Sequence, residues 1–196
     1  GNRKYNVILD RYFKYPKNIH ENLISLRDKI INFKDLRKYK KKIKNVEKEI
    51  TIFHAESVNK ILKKNVLKID FIGFHGQTIF HSTEKKITKQ IGDGKLLSKL
   101  TKKKVVYNFR QNDIKNGGEG APLTPIFHEL IAYKNKLKPP NIFVNIGGIS
   151  NFTYLGIPWI RANKIKNWHA GDLCLGNCLI DQWIRKKSKK NFDKNG

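Results

Sequence analysis

Methionine is absent from the 196 residues, and cysteine occurs only as Cys174 and Cys178. A natural reading frame opens with methionine, so a chain that starts at Gly1 is expected to be an internal piece of a longer protein. Two cysteines cannot make a disulfide framework, which points to a reducing compartment. No apolar run approaches the roughly 18 residues of a membrane span, and residues 1–10 carry no apolar stretch behind their charges. The expectation is a soluble, cytoplasmic chain with no membrane partner. Acidic residues are scarce as well, 16 against 41 lysines and arginines, for a net charge of +25. Arginine is scarcer still: seven of the 41, which leaves 34 lysines. A nucleic-acid binder would concentrate arginine and stacking aromatics in one stripe, whereas here the lysines are scattered. That favours a solvated surface and keeps a basic nucleic-acid-binding module only as the alternative.

What is present suffices for a core. Hydrophobic residues make up 39%, with eleven Phe, seven Tyr and three Trp, and this excludes wholesale disorder. Val7-Ile8-Leu9 reads as a short strand before the Tyr15-Pro16 turn. Apolar positions three and four apart predict helices over 18–31 and 47–64, the second with Ile50, Phe53, Ser57, Val58, Ile61 and Leu62 in one stripe. Residues 32–46 are lysine-rich and weakly patterned. Strands are predicted over 66–74, 87–91, 105–107, 142–146 and 152–155. Helices are predicted over 94–100, 122–134 and 176–187, with Pro122 or Pro125 in the first turn of the middle one. Strands alternating with helices imply an α/β sheet covered on its faces, with sites where strands end.

Four glycine-bearing segments could carry chemistry. In Gly73-Phe74-His75-Gly76-Gln77-Thr78, glycine admits a ligand to the backbone while His75 and Gln77 read it, or else the segment is a plain turn with a bonded histidine. Next, Arg110 follows a strand and could clamp a carboxylate or phosphate with both arms. Gly117-Gly118-Glu119-Gly120 after it reads as feeding a helix N-terminus, a natural anion site, or as a packing device. Asn145-Ile146-Gly147-Gly148-Ile149-Ser150-Asn151 reads as a hairpin whose N–H groups can face phosphate, or as an ordinary tight turn. No Gly-Lys-Ser/Thr follows it, so it is not a Walker A loop. Finally, Asp172 lies in Gly171-Asp172-Leu173-Cys174-Leu175-Gly176-Asn177, which leads into the last helix. It could serve as a general base or as that helix's cap. The histidines and cysteines show no metal-ligand spacing, so no metal ligand is assigned.

In order and spacing, these segments resemble the anhydro-N-acetylmuramic acid kinases of bacterial peptidoglycan recycling. The likeness covers about residues 66–196, adding Gln90-Ile91-Gly92-Asp93, Phe109-Arg110 with Asp113, Leu179-Ile180-Asp181-Gln182-Trp183 and Phe192-Asp193-Lys194. Residues 1–65 fit by length and helix pattern alone. The resemblance implies an actin-like ATPase (ribonuclease H-like) fold. Residues 1–140 would be most of the first domain without its first phosphate hairpin, and residues 141–196 the start of the second. It implies an ATP- and Mg²⁺-dependent enzyme that opens the 1,6-anhydro sugar with water and phosphorylates O6, giving N-acetylmuramic acid 6-phosphate. Another actin-like sugar kinase is the neighbouring possibility, and a homodimer is left open. By resemblance Asp172 is the base, and His75, Gln77, Arg110 and Glu119 line the sugar side. Asn145, Gly147, Gly148, Ser150, Asn151, Gly176 and Asn177 would hold the nucleotide. The stretch alone would be inactive, because the family's Ser-Gly-Thr-Ser-Leu-Asp-Gly signature and its adenosine loop are not in it. Two departures stand out: Leu173-Cys174-Leu175 replaces the family's Thr-Gly-Pro, and Asn108 replaces its Asp.

Overall fold

The computed structural model describes residues 5–65, 68–156, 168–190 and 192–193. Its mixed α/β chain forms two compact units, one of Leu9–Ala121 and one of Gly1–Ile8 with Pro122–Gly196. The division falls ahead of the 140/141 boundary drawn from the resemblance. Among the described residues no helix is long and apolar enough to cross a membrane.

In the unit Leu9–Ala121, helices come first: α1 (Lys17–Lys29), α2 (Phe33–Lys38) and α3 (Lys40–Asn65). Residues 5–16 form no strand, and Val7 and Ile8 are largely exposed. A three-residue apolar run with no pairing partner cannot satisfy its backbone in a sheet, so the expected strand there does not form. The lysine-rich stretch is ordered instead. Asn32 Oδ1 accepts from Lys34 N at 2.9 Å while Asp35 Oδ2 accepts from Asn32 N at 3.0 Å, a reciprocal cap that starts α2. Helix α3 begins well before the expected position, and its buried stripe runs through Ile43, Val46, Ile50, Thr51 and Ala55. Ile19 and Leu26 of α1, with Ile30 just after it, pack on Ile43, Val46 and Ile50.

That helical layer meets two small sheets. Strand β1 (Phe71–Phe74) runs parallel to β4 (Lys104–Tyr107), and β2 (Gln77–Ser82) pairs antiparallel with β3 (Ile87–Ile91). Residues 66 and 67 of the expected first strand lie outside the described residues. Helix α4 (Gly94–Thr101) is capped by Asp93, whose Oδ1 accepts from Lys95 N at 2.9 Å and Leu96 N at 3.0 Å. The strand–helix joint before it is tied to α3, because Thr51 Oγ1 accepts from Asp93 N at 2.9 Å and donates to Glu47 O at 2.6 Å. Glu47 Oε1 also accepts from Gly92 N at 3.2 Å and Lys89 Nζ at 3.1 Å. Helix α5 (Phe109–Lys115) follows β4 directly.

The other unit holds α6 (Pro125–Lys134), the antiparallel sheet β5–β6–β7 (Asn141–Ile146, Ile149–Leu155, Trp168–Leu175) and α7 (Cys178–Lys187). Pro125 occupies the first turn of α6. His128 of α6 stacks flat on Phe143 at 4.8 Å, and its Nδ1 lies 2.9 Å from Thr153 Oγ1, so α6 covers one face of the sheet. On the alternate positions of β5, Ile142, Val144 and Ile146 stay exposed, as do Leu179, Ile180 and Trp183 of α7.

The fully buried Thr51 is the checkable joint of this fold. Thr51→Val keeps the volume but orphans Asp93 N–H, so it is expected to cost about 1–3 kcal/mol. Urea unfolding should show a lower midpoint at unchanged slope.

Candidate functional site

In the unit Leu9–Ala121, strand β1 ends at Phe74 and β2 begins at Gln77, which leaves His75-Gly76 as the turn between them. Gly76 has φ +71, and a Cβ there would sit against the carbonyl oxygen of Ile91. Only glycine fits this turn without moving β3. Arg110, one residue into α5, reaches across: its Nε donates to His75 Nε2 at 2.9 Å and its Nη1 to Gly120 O at 2.9 Å. His75 Nδ1 lies 3.0 Å from Gly76 O, a pattern satisfied by the tautomer with its proton on Nδ1. Burial draws the Arg110 guanidinium below its usual value.

The Gly117–Gly120 segment does not feed a helix N-terminus, because α6 starts only at Pro125, after Thr124. It folds back on α5 instead. Asp113 Oδ2 accepts from Gly120 N at 2.8 Å, and Gly118 N donates to Asp113 O at 2.9 Å. A Cβ on Gly118 would fall on the Asp113 carboxylate. Arg110 and Asp113, one helical turn apart, therefore grip the two sides of Gly120. Glu119 is exposed on the loop that they hold. Asn108, where the family has Asp, takes φ +61 at the start of α5, a conformation Asn tolerates better than most residues. The structure thus joins His75, Arg110 and the Glu119 loop.

Gln77 faces a different set. Its Nε2 donates to Tyr15 Oη at 3.0 Å, and Tyr15 Oη lies 2.8 Å from His54 Nε2. Neither Tyr15 nor His54 stands out in the sequence as a functional residue. Burial raises the pKa of Tyr15, against the lowering effect of the Gln77 bond, and lowers that of His54.

In the other unit the predicted hairpin is β5–β6, pairing Asn145 with Asn151 and Ile146 with Ser150 around Gly147-Gly148. Its tip is bonded to the segment before α7. Asn177 N donates to Gly147 O at 2.7 Å, while Gly176 N and Cys178 N donate to Gly148 O at 2.9 and 3.3 Å. A Cβ on Gly176 would fall on Gly147 O, so this approach requires glycine. Asp172 does not sit at a helix entrance but within β7, opposite Asn151, and α7 begins only at Cys178. It is no helix cap. The pairing skips Leu173, since Asn151 faces Asp172 while Ser150 faces Cys174. This β-bulge beside Asp172 breaks the strict alternation of the strand. Cys174 and Leu175, at the positions where the resemblance puts Gly and Pro, permit the extended backbone that carries β7 to Leu175. The Asp172 side chain is exposed and makes no hydrogen bond or ion pair among the described residues. Among them, no group of three His, Cys, Asp or Glu could hold a metal ion.

A family model described as anhydro-N-acetylmuramic acid kinase matches residues 2–196. The match takes in residues 2–65, which the motifs leave unassigned. A protein of that name from Pelagibacter ubique is 48% identical over 198 residues, covering 100% of this chain and 51% of its own length. Its namesake from Agrobacterium fabrum is 43% identical over 76% of this chain and 40% of itself. A third, from Brucella canis, is 42% identical over 79% of this chain and 41% of itself. The chain spans about half the length of the curated relatives it matches.

Gly176→Ala is expected to push the tip of the hairpin off its loop, at a cost of about 1–3 kcal/mol. Amide hydrogen exchange at Asn177 and Cys178 should accelerate about tenfold or more, with β2–β3 protection unchanged. A second test is acid. The pKa values of His54 and His128 are both lowered by burial from 6.5, so each takes up its proton more readily when unfolded. Their share of stability is complete above about pH 6.5 and is lost as pH falls through the depressed folded values. The thermal midpoint should therefore drop between about pH 7.5 and pH 5, and drop less in the His54→Gln, His128→Gln double variant.

Proposed function

The chain belongs to the anhydro-N-acetylmuramic acid kinase family, and from that premise we propose that it supplies the sugar-binding and base-bearing parts of such an enzyme. The fold is proposed to be actin-like, with residues 1–140 in the first domain and 141–196 opening the second. Carrying the reading is the exposed Asp172 carboxylate, set in register with Asn151 on a hairpin whose glycine tip is bonded to Gly176-Asn177.

Water is a poor nucleophile at neutral pH, and a positioned carboxylate that removes its proton contributes roughly 10²–10⁴-fold. Asp172 takes that proton as the water oxygen bonds the anomeric carbon and the bond from that carbon to O6 breaks. Bulge geometry at Leu173 and pairing with Asn151 supply the carboxylate's aim. His75, Gln77, Arg110 and Glu119 are proposed to line the sugar; Arg110 fixes the His75 tautomer and Asp113 fixes the loop bearing Glu119. Arg110, with Nε and Nη1 committed to His75 and Gly120, keeps Nη2 for an anionic group such as the muramic lactate.

The nucleotide-binding set is proposed as Asn145, Gly147, Gly148, Ser150, Asn151, Gly176 and Asn177. Both tip carbonyls are committed to the Gly176–Cys178 amides, which leaves the N–H side of the turn for phosphate. ATP would supply the phosphoryl group that O6 receives. Mg²⁺ is proposed to arrive with the phosphates, since that ion usually takes one or two carboxylates together with substrate phosphate oxygens.

In a protein of the relatives' full length carrying these residues, Asp172→Asn should lower kcat by about 10²–10⁴-fold. Nucleotide affinity, measured by calorimetry, should stay within about twofold. Turnover of 1,6-anhydro-N-acetylmuramic acid at the unsubstituted rate would remove Asp172 from the mechanism. The 196-residue chain by itself is expected to give no sugar phosphate by mass spectrometry.

A further inference from the structure

The turn that presents His75 is braced on both sides by residues remote in sequence. Before it, Phe74 is buried, and the His54 ring meets it edge-on at 5.1 Å. After it, Gln77 is bonded to Tyr15, whose ring lies 4.9 Å from Phe53 and 5.9 Å from His54. Helix α3 and the segment ahead of α1 thus meet the two residues that flank His75-Gly76. Packing alone would place a phenylalanine at position 15 equally well. What the hydroxyl adds is direction.

Tyr15 has one proton to give, and the chain of groups on either side of it allows two arrangements. If the hydroxyl donates to His54 Nε2, its lone pairs receive the Gln77 N–H, and the carboxamide presents Oε1. If His54 Nε2 carries a proton, the hydroxyl is released to donate to Gln77 instead, and the carboxamide can turn over to present its NH₂. The structure places Gln77 Nε2 towards Tyr15, the orientation of the first arrangement. Burial keeps the Tyr15 proton on oxygen and His54 neutral, as that arrangement requires. Oε1 of Gln77 makes no hydrogen bond among the described residues.

We propose that Tyr15 and His54 are positioning residues that fix the polarity of the Gln77 carboxamide, so that Oε1 is held as an acceptor for a hydroxyl or amide N–H of the bound sugar. The polarity stands on the hydrogen-bond chain itself, while the identity of the donor rests on the substrate proposed above. Substrate recognition by this turn then divides by sign. Arg110 offers donors, and Gln77 offers an acceptor that cannot rotate into a donor.

The chain itself, labelled with ¹⁵N, gives the test. At about pH 7.5 the His54 ring spectrum should show an unprotonated Nε2 and a protonated Nδ1; a proton on Nε2 overturns the proposal without any variant. The Gln77 carboxamide pair should be shifted and slow to exchange, and should collapse to averaged values in Tyr15→Phe while other amides stay put. Unchanged Gln77 signals in that variant also overturn it. Titration with 1,6-anhydro-N-acetylmuramic acid then tests the consequence. Tyr15→Phe should weaken binding about five- to tenfold, the scale of one net hydrogen bond, and should add less than about twofold in a Gln77→Ala background. Equal losses in both backgrounds would show that Tyr15 does not act through Gln77. If the unsubstituted chain binds no sugar, the substrate reading fails, and the two spectra still decide the polarity.

Discussion

One guanidinium holds the candidate sugar side together. Arg110 is bonded at once to the side chain of His75, 35 residues away, and to the main chain of Gly120, ten residues on. Gly76 and Gly120 both sit at positive φ, where a side chain would be strained. Helix α5, which carries Arg110, starts directly after β4 and so inherits the placement of the β1–β4 pair. Lysine could not make both bonds, because a point charge has no rigid fork to span two acceptors. In a chain so poor in arginine, the position of this one is informative.

The other unit solves a similar problem without charge. There the hairpin tip and the loop before α7 are joined entirely by main-chain hydrogen bonds, and Gly176 is the condition for it. Removing the side chain lets two backbones approach to bonding distance, so the geometry near Asp172 depends on residues whose own side chains do nothing. Leu173, Cys174 and Leu175 take no part in the tip contact, which depends on position 176.

Much of this was legible in the sequence, and the reasons for the rest are physical. Periodicity located α1, α3, α4, α6 and α7 and the strands β1 and β3 to β6, although α7 buries none of its residues and Leu179, Ile180 and Trp183 on its apolar stripe are exposed. It missed α2, whose evidence is the Asn32–Asp35 cap rather than an apolar stripe, and α5, where polar residues follow a strand with no period to read. Strand β7 was hidden because its glycine and acid read as a loop; pairing with β6 is a long-range fact that no local window contains. The glycine loops were visible as glycine. What they close upon was not, since Gly118 against Asp113 and Gly176 against Gly147 are tertiary contacts. His54 and Tyr15 escaped for the same reason: each looks like ordinary packing until the other is placed beside it.

The uncovered side of β5, with Ile142, Val144 and Ile146 laid bare, has a colloidal consequence. A net charge of +25 keeps identical molecules apart in dilute buffer, and that repulsion reaches only about 10 Å at 0.1 M salt. Once it is screened, greasy ribbons on separate molecules meet unopposed. Ionic strength then governs whether a solution of this polypeptide stays clear.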